Sequence, residues 1–292
     1  MNLVIGATGI LGSEICRRLR QRGLPVRALV RRGSAGEASL VALGVEIAHG
    51  DLREPPTIAA ACSGVATVFS TATAMGSKDK TLTLRDIDRD GQLATVAAAR
   101  AAGVGRFVYI SVSPLLQPPA PLIRYKREVE AAVRNSGMRW TILQPSVFME
   151  VWLGPLLGWD HTAGKAMIFG DGSGVLNWVA VADVAELAVR SLEDPRLENR
   201  NVTVGGPQAL TPNEVLRIFE EVSGRPYKAK RIPRLMLATL GPLVTLFNEA
   251  AGSGMSLGAQ GARGEKLDTS FMHGLGLSLT TVRDYARRVT RG

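Results

Sequence analysis

Residues 3–12 read Leu3-Val4-Ile5-Gly6-Ala7-Thr8-Gly9-Ile10-Leu11-Gly12, and this stretch decides the fold. Three apolar residues make a short strand, and three glycines then turn the chain into a helix. Each glycine answers a separate steric demand. Gly6 leaves the strand through a tight turn, where φ can be positive at no cost. Gly9 has no Cβ, so a pyrophosphate can approach its backbone, and Gly12 lets the helix lie close to the sheet. The start of the helix then offers unpaired N–H groups and partial positive charge. A glycine pattern alone says little. Between a strand and a helix, at the head of an alternating chain, it predicts a dinucleotide-phosphate site.

Working outward, strand and helix signals alternate through the first half of the 292 residues. Strands are expected at 3–5, 26–30, 45–49, 66–70, 107–111 and 140–143. Helices are expected at 12–22, 38–43, 57–62, 86–102 and 126–135. Such alternation gives a parallel sheet wound on both sides. No Asn-Gly or Asp-Gly pair joins two strands here, which argues against an antiparallel sheet. Beyond residue 149 the rhythm breaks. A strand at 166–169, a turn at 170–174, a helix at 183–193 capped by Asp183 and a strand at 201–204 follow. Thr211 caps a helix, with Pro212 in its first position and Glu214 completing a capping box. An apolar helix at 232–248, kinked at Gly241-Pro242, a mobile glycine-rich stretch at 253–264 and a last helix at 280–291 complete the chain. The expected fold is α/β: a doubly wound parallel Rossmann sheet with a smaller C-terminal substrate-binding domain. The nucleotide-binding domain would take residues 1–149 plus 183–206, and the smaller cap domain 150–182 plus 207–292.

Composition narrows the function. Hydrophobic residues make up 46% and charged residues 21%, so the chain can bury a core and is not disordered. The first strand leaves no room for a signal peptide ahead of it, and a cytoplasmic location is expected. Cys16 and Cys62 are then buried thiols, with no disulfide. His49, His161 and His273 have no metal-ligand spacing, and no metal is expected. The net charge is +9. Its arginines are spread along helices (Arg17, Arg18, Arg20, Arg22; Arg283, Arg287, Arg288, Arg291), with no basic run interleaved with aromatics. Solvated helix faces explain this better than nucleic-acid binding. Residues 235–247 carry no charge but are too few to cross a bilayer, which takes about 20. They can pack within the cap, line a substrate cleft, meet a partner or lie in a membrane interface.

Cofactor choice should be written at the end of the second strand, about 20 residues beyond the glycines. An acid there would bind a ribose and repel a 2′-phosphate. Arg31 and Arg32 stand there instead, and a guanidinium forks onto phosphate. NADP(H) is therefore predicted over NAD(H); two merely exposed arginines are the alternative. Asp51, after the third strand, can bind an adenine amino group or cap the following helix. Thr71 and Thr73 fall at the carboxyl edge of the sheet, where open α/β folds bind ligands.

Four motifs together resemble a known group: Gly-Ala-Thr-Gly-Ile-Leu-Gly at 6–12, Val-Arg-Ala-Leu-Val-Arg-Arg at 26–32, Gly-Asp-Leu at 50–52 and Ala-Gly-Val-Gly-Arg-Phe-Val-Tyr-Ile-Ser at 102–111. Lys126 with Glu130, Trp-Thr-Ile-Leu-Gln-Pro at 140–145 and Val-Ala-Asp-Val-Ala at 181–185 extend the match. The chain resembles the NmrA-like group of atypical short-chain dehydrogenase/reductases over most of residues 1–206. The resemblance implies a nicotinamide cofactor held by Gly6, Thr8, Gly9, Ile10, Leu11, Gly12, Arg31, Arg32, Asp51, Leu52, Thr71, Ala72, Thr73, Ser111, Lys126 and Pro145. It implies catalysis by Lys126, Ser113 or Tyr125. Short-chain dehydrogenases place a tyrosine four residues before their lysine, to protonate the developing alkoxide. Here that position is Leu122, and Tyr125, next to Lys126, points about 100° away on a helix. Lys126 can act as the acid, anchor the ribose, or only pair with Glu130.

The reading is an NADPH-dependent oxidoreductase transferring hydride to a hydrophobic carbonyl, enone or quinone-type molecule, cyclic or conjugated. Its apolar segments 147–159 and 235–247 would hold that molecule. The alternative is a non-catalytic NADP(H)-binding regulatory or assembly protein, which the missing tyrosine favours. The same gap disfavours a sugar-nucleotide epimerase.

Overall fold

Short apolar runs, each closed by a glycine or polar turn, become strands, and the amphipathic stretches between them become helices. The computed structural model describes residues 1–77, 79, 81–118 and 120–290. In chain order its first elements are β1 (Asn2–Ile5), α1 (Ile10–Gln21), β2 (Val26–Val30), α2 (Glu37–Ala42), β3 (Glu46–His49), α3 (Pro55–Cys62) and β4 (Thr67–Ser70). A π-helical turn, Arg85–Gly91, leads into α4 (Gln92–Ala101), followed by β5 (Arg106–Ile110), α5 (Pro121–Arg134) and β6 (Arg139–Pro145). Then come α6 (Met149–Trp152), β7 (Lys165–Phe169), β8 (Leu176–Asn177), α7 (Val181–Arg190), β9 (Arg200–Val204), β10 (Ala209–Leu210) and α8 (Pro212–Ser223). The last are β11 (Lys228–Ile232), α9 (Arg234–Thr245), α10 (Glu249–Gly261), α11 (Ser270–His273) and α12 (Val282–Thr290).

Contacts divide the chain into two compact units. One comprises Met1–Ser111, Leu122–Gln144 and Val184–Val202; the other comprises Val112–Pro121, Pro145–Asp183 and Thr203–Gly292. The central sheet has seven strands in the order β3-β2-β1-β4-β5-β6-β9, and it is parallel as expected. Its middle strands β1, β4 and β5 are buried along their whole length, as a sheet covered by helices on both faces requires. Strand order reverses at β1, between β2 and β4. Such a switch point opens a crevice outside the carboxyl ends of the strands.

The second unit has its own core, in which Met149, Leu153, Trp159, Trp178, Phe219, Tyr227 and Tyr285 are buried together. His161 stacks on Phe219 at 4.9 Å between ring centroids, and its Nε2 lies 2.8 Å from the Leu153 carbonyl. Burial lowers the His161 pKa. Leu153 and Trp159 are therefore core residues, and in the segment 147–159 Leu156 is the strongly exposed large apolar side chain.

Several expectations need correction. The helix expected at 86–102 opens instead as the π-helical turn, which carries Asp88. Asp183 is not a cap: α7 begins at Val181, whose N–H is taken by Glu150 Oε2 at 3.0 Å. The Asp183 carboxylate accepts from the N–H and hydroxyl of Thr280. Ile232 ends β11, and the apolar helix begins at Arg234. The glycine-rich stretch 253–264 is not a mobile loop but largely α10. Its small residues let two helices approach. A Cβ on Gly252 would collide with Thr245 of α9, and one on Gly261 would come within 3.1 Å of the Trp152 ring. The last helix is described to Thr290, and Arg291 lies outside the described residues. The capping box at Thr211 and Glu214 forms as read. Cys16 and Cys62 are free and buried, and no candidate metal cluster occurs among the described residues.

Candidate active site

The glycine turn lies at the switch point. Gly6 has φ +81°, and a Cβ on it would come 2.7 Å from the Ala72 nitrogen. The loop after β1 therefore touches the loop after β4, where Thr71 N–H donates to the Ile5 carbonyl at 2.9 Å. Gly12 is needed for a nearer reason than helix–sheet packing: its Cβ would strike the Gly6 carbonyl and the Ala7 backbone of the turn itself. Gly9 is the N-cap of α1, with no side-chain cap and no acidic residue in the first turn. The amides of Ile10, Leu11 and Gly12 thus begin a helix whose positive end no side chain claims. Thr8 and Ile10 are exposed beside them, Ile10 by 55%. This is a cradle a diphosphate fits.

At the end of β2, Arg31 and Arg32 are both exposed. Arg31 Nη1 donates to Asp79 Oδ2 at 2.7 Å. Bonds from Thr81 and Arg31 hold the Asp79 carboxyl down at about 2. Arg32 has no ion-pair partner among the described residues. Asp51 neither caps α3 nor stands free. It closes a turn with Arg53, accepting its N–H at 2.9 Å and its guanidinium at 2.7 and 3.0 Å. The Arg53 guanidinium holds that carboxyl below its ordinary range. Leu52 is buried.

Around the carboxyl end of β4 the structure adds residues that sequence reading missed. Ser70 hydroxyl donates to Gln92 Oε1, Gln92 Nε2 donates to the Ala72 carbonyl at 3.0 Å, and Ala74 N–H donates to Asp88 Oδ2 at 2.8 Å. Two side chains from the π turn and α4 thus hold the 70–74 loop from behind. Thr71 hydroxyl is spent on the Ile5 carbonyl at 3.1 Å, and Thr73 accepts the Met75 N–H. A signal existed: Asp88, Gln92 and Thr95 recur at helical spacing on an otherwise apolar inner face, and all three are fully buried.

Lys126 is also buried, at 5% exposure. It does not pair with Glu130. Its Nζ lies 3.5 Å from Asp88 Oδ1, donates to the Ile110 carbonyl at 3.3 Å and stands 5.2 Å from the Tyr109 ring centre. Asp88 Oδ1 has no hydrogen-bond partner among the described residues, and neither has the Tyr109 hydroxyl. Burial drives the Tyr109 pKa well up, with Asp88 and Glu130 adding to the rise; it remains a neutral phenol. Glu130 serves other partners: Ser111 Oγ at 2.5 Å, Gln144 Nε2 at 2.9 Å and Arg127 Nη1 at 2.6 Å. Ser111 is therefore hydrogen-bonded inward. Leu122 and Tyr125 are buried. In the second unit, Ser113 Oγ accepts the Leu115 N–H at 3.2 Å, and Pro145 is buried where β6 ends.

A model of the NmrA-like family matches residues 2–270. The chain belongs to the NmrA-like family. Among relatives of this NmrA-like chain, an NAD(P)H azoreductase of Xenophilus azovorans is 36% identical over 231 residues, covering 78% of this chain and 76% of that protein. Photosystem II assembly factor Ycf39 of Trieres chinensis is 28% identical over 250 residues, covering 84% of this chain and 76% of that protein. The solved triphenylmethane reductase of Citrobacter sp. superposes with a TM-score of 0.77 at 24% identity, over 100% of this chain and 99% of that one. That likeness establishes the fold. The family expected from the motifs is the one found.

Proposed function

We propose that this NmrA-like chain is an NADPH-dependent reductase of hydrophobic, conjugated small molecules. The observation that carries the reading is the uncapped start of α1 over the Gly6 turn, at the switch point of the sheet, with Arg31 and Arg32 ending the neighbouring strand. The amides of Ile10, Leu11 and Gly12 hold a diphosphate; the Gly9 N–H is given to the Gly6 carbonyl. Arg32, and Arg31 once it shares or leaves Asp79, hold a 2′-phosphate. Lys126 carries three donors. The Ile110 carbonyl takes one and Asp88 attracts a second, so the third is left to anchor a ribose hydroxyl. Bound NADPH supplies a hydride. With Leu122 in the tyrosine position, Lys126 is the side chain to which the proton delivered to the acceptor is assigned, directly or through water. The named azoreductase, at 36% identity over 78% of the chain, supports the reaction class. It also adds azo compounds to the carbonyls, enones and quinones to be tried.

The rival reading, an NADP(H)-binding assembly or regulatory protein, rests on two specific observations. Leu122 is buried where the acid would stand, and a photosystem assembly factor is among the relatives. Calorimetry with NADPH and NADH, followed by NADPH absorbance against quinone, azo, enone and aldehyde acceptors, separates the two. The reductase reading expects tighter NADPH binding and oxidation by at least one acceptor. Tight binding with no oxidation by any acceptor decides for the rival, and no binding of either nucleotide ends both.

A further inference from the structure

Six of the large apolar side chains left exposed fall between Leu235 and Phe247: Leu235, Met236, Leu240, Leu243, Leu246 and Phe247. They form one face. α9 buries Leu237 and Gly241 and lies against α10, whose Gly252 permits the close approach to Thr245. The opposite side is left outward. Phe247 is 92% and Leu246 77% exposed, more than the wall of a formed cleft leaves open. The only hydroxyl on the outward stretch of α9, that of Thr239, is already given to the Leu235 carbonyl at 2.9 Å. The face therefore offers apolar area without hydrogen-bonding specificity.

Its flank is cationic. From 228 to 248 the chain carries Lys228, Lys230, Arg231 and Arg234 and no acid. Lys228, Lys230 and Arg234 are exposed and have no ion-pair partner among the described residues. Lys165 of β7 stands opposite Lys228 in the parallel pair β7–β11, adding a fifth positive charge. Exposed apolar area, with exposed cations on the strand that leads into it and at its first turn, is complementary to an anionic bilayer surface. We propose that α9 and the segment to Phe247 dock in the interface of an anionic lipid membrane. The helix lies in the membrane plane, since no helix among the described residues is long and apolar enough to cross one.

Sedimentation with vesicles of equal parts phosphatidylglycerol and phosphatidylcholine, against phosphatidylcholine alone, tests this in the full chain. The expected result is binding to the anionic vesicles that weakens with added salt and is at least tenfold weaker on neutral ones. The pair Leu246→Asp and Phe247→Asp should abolish it. The pair Lys228→Glu and Lys230→Glu should weaken it by about fivefold or more per removed charge. All four positions are exposed, and circular dichroism checks that each variant is folded. Wild-type protein that stays in the supernatant overturns the proposal, as does an aspartate pair that binds as well as wild type. So does light scattering that shows a wild-type dimer which the aspartate pair makes monomeric, because the occupant is then a second copy.

Discussion

At the scale of single residues, two charged pairs stand in the candidate site. Arg31 is held by Asp79, which stays a carboxylate far below neutral pH and so competes with any phosphate for the same guanidinium. Arg31→Asp should raise the dissociation constant for NADPH by tenfold or more, since hydrogen bonds to charged groups contribute about 1.5–3 kcal/mol, and leave NADH nearly unchanged. Asp79→Asn should tighten NADPH binding. Calorimetry with both nucleotides reads both variants, and equal effects on the two would refute the assignment. The second pair is Asp88 with Lys126. Both are buried, so removing one partner strands the other charge, at a cost of about 3–5 kcal/mol. Lys126→Met and Asp88→Asn should each destabilise by that order, and the double variant by clearly less than their sum. Denaturant melts of the four proteins check the cycle. Turnover lost in the double variant, with stability largely recovered, separates a catalytic lysine from a structural one. Lys126 was legible as a candidate, but its partner was not: sequence spacing suggested Glu130, and the π-helical turn supplies Asp88.

Single elements show which local signals survive folding. The capping box at Thr211 is self-contained within four residues, and it forms as read. α10 shows the opposite: its glycines argued for a loop because glycine weakens an isolated helix by about 1 kcal/mol. Packing overrides this, since the missing Cβ atoms are what allow contact with α9. Gly252→Ala should therefore destabilise, against helix propensity, because its Cβ meets the Thr245 backbone; a lower melting temperature is the check. In α1, burial pushes the Cys16 thiol up to about 12 from its ordinary 9.0. Below pH 9 the thiol is neutral in both folded and unfolded chains, so its stabilising contribution is complete. Above pH 9 only the unfolded chain loses the proton, and stability falls as pH rises toward about 12, by about 4 kcal/mol at most. Cys16→Ala should flatten that alkaline limb in denaturant melts at successive pH values.

For the whole molecule, a ligand that binds only the folded chain adds stability by mass action, about 2.7 kcal/mol at a hundred times its dissociation constant. NADPH should therefore raise the melting temperature more than NADH at equal concentration, and Arg31→Asp should erase the difference. Thermal scans in the presence of each nucleotide read this directly. By itself the sequence determined the parallel sheet, the glycine turn, the arginines that end β2 and the family, because each is written in a few adjacent residues or in a period of hydrophobicity. Tertiary structure alone decided what Lys126 touches, what holds the 70–74 loop, that Glu150 caps α7 and that a glycine-rich stretch is a helix. Those outcomes depend on atoms brought together from distant parts of the chain. Burial then fixes their energetics: an unpaired charge or a misplaced methyl group costs far more inside the protein than any local preference can offset.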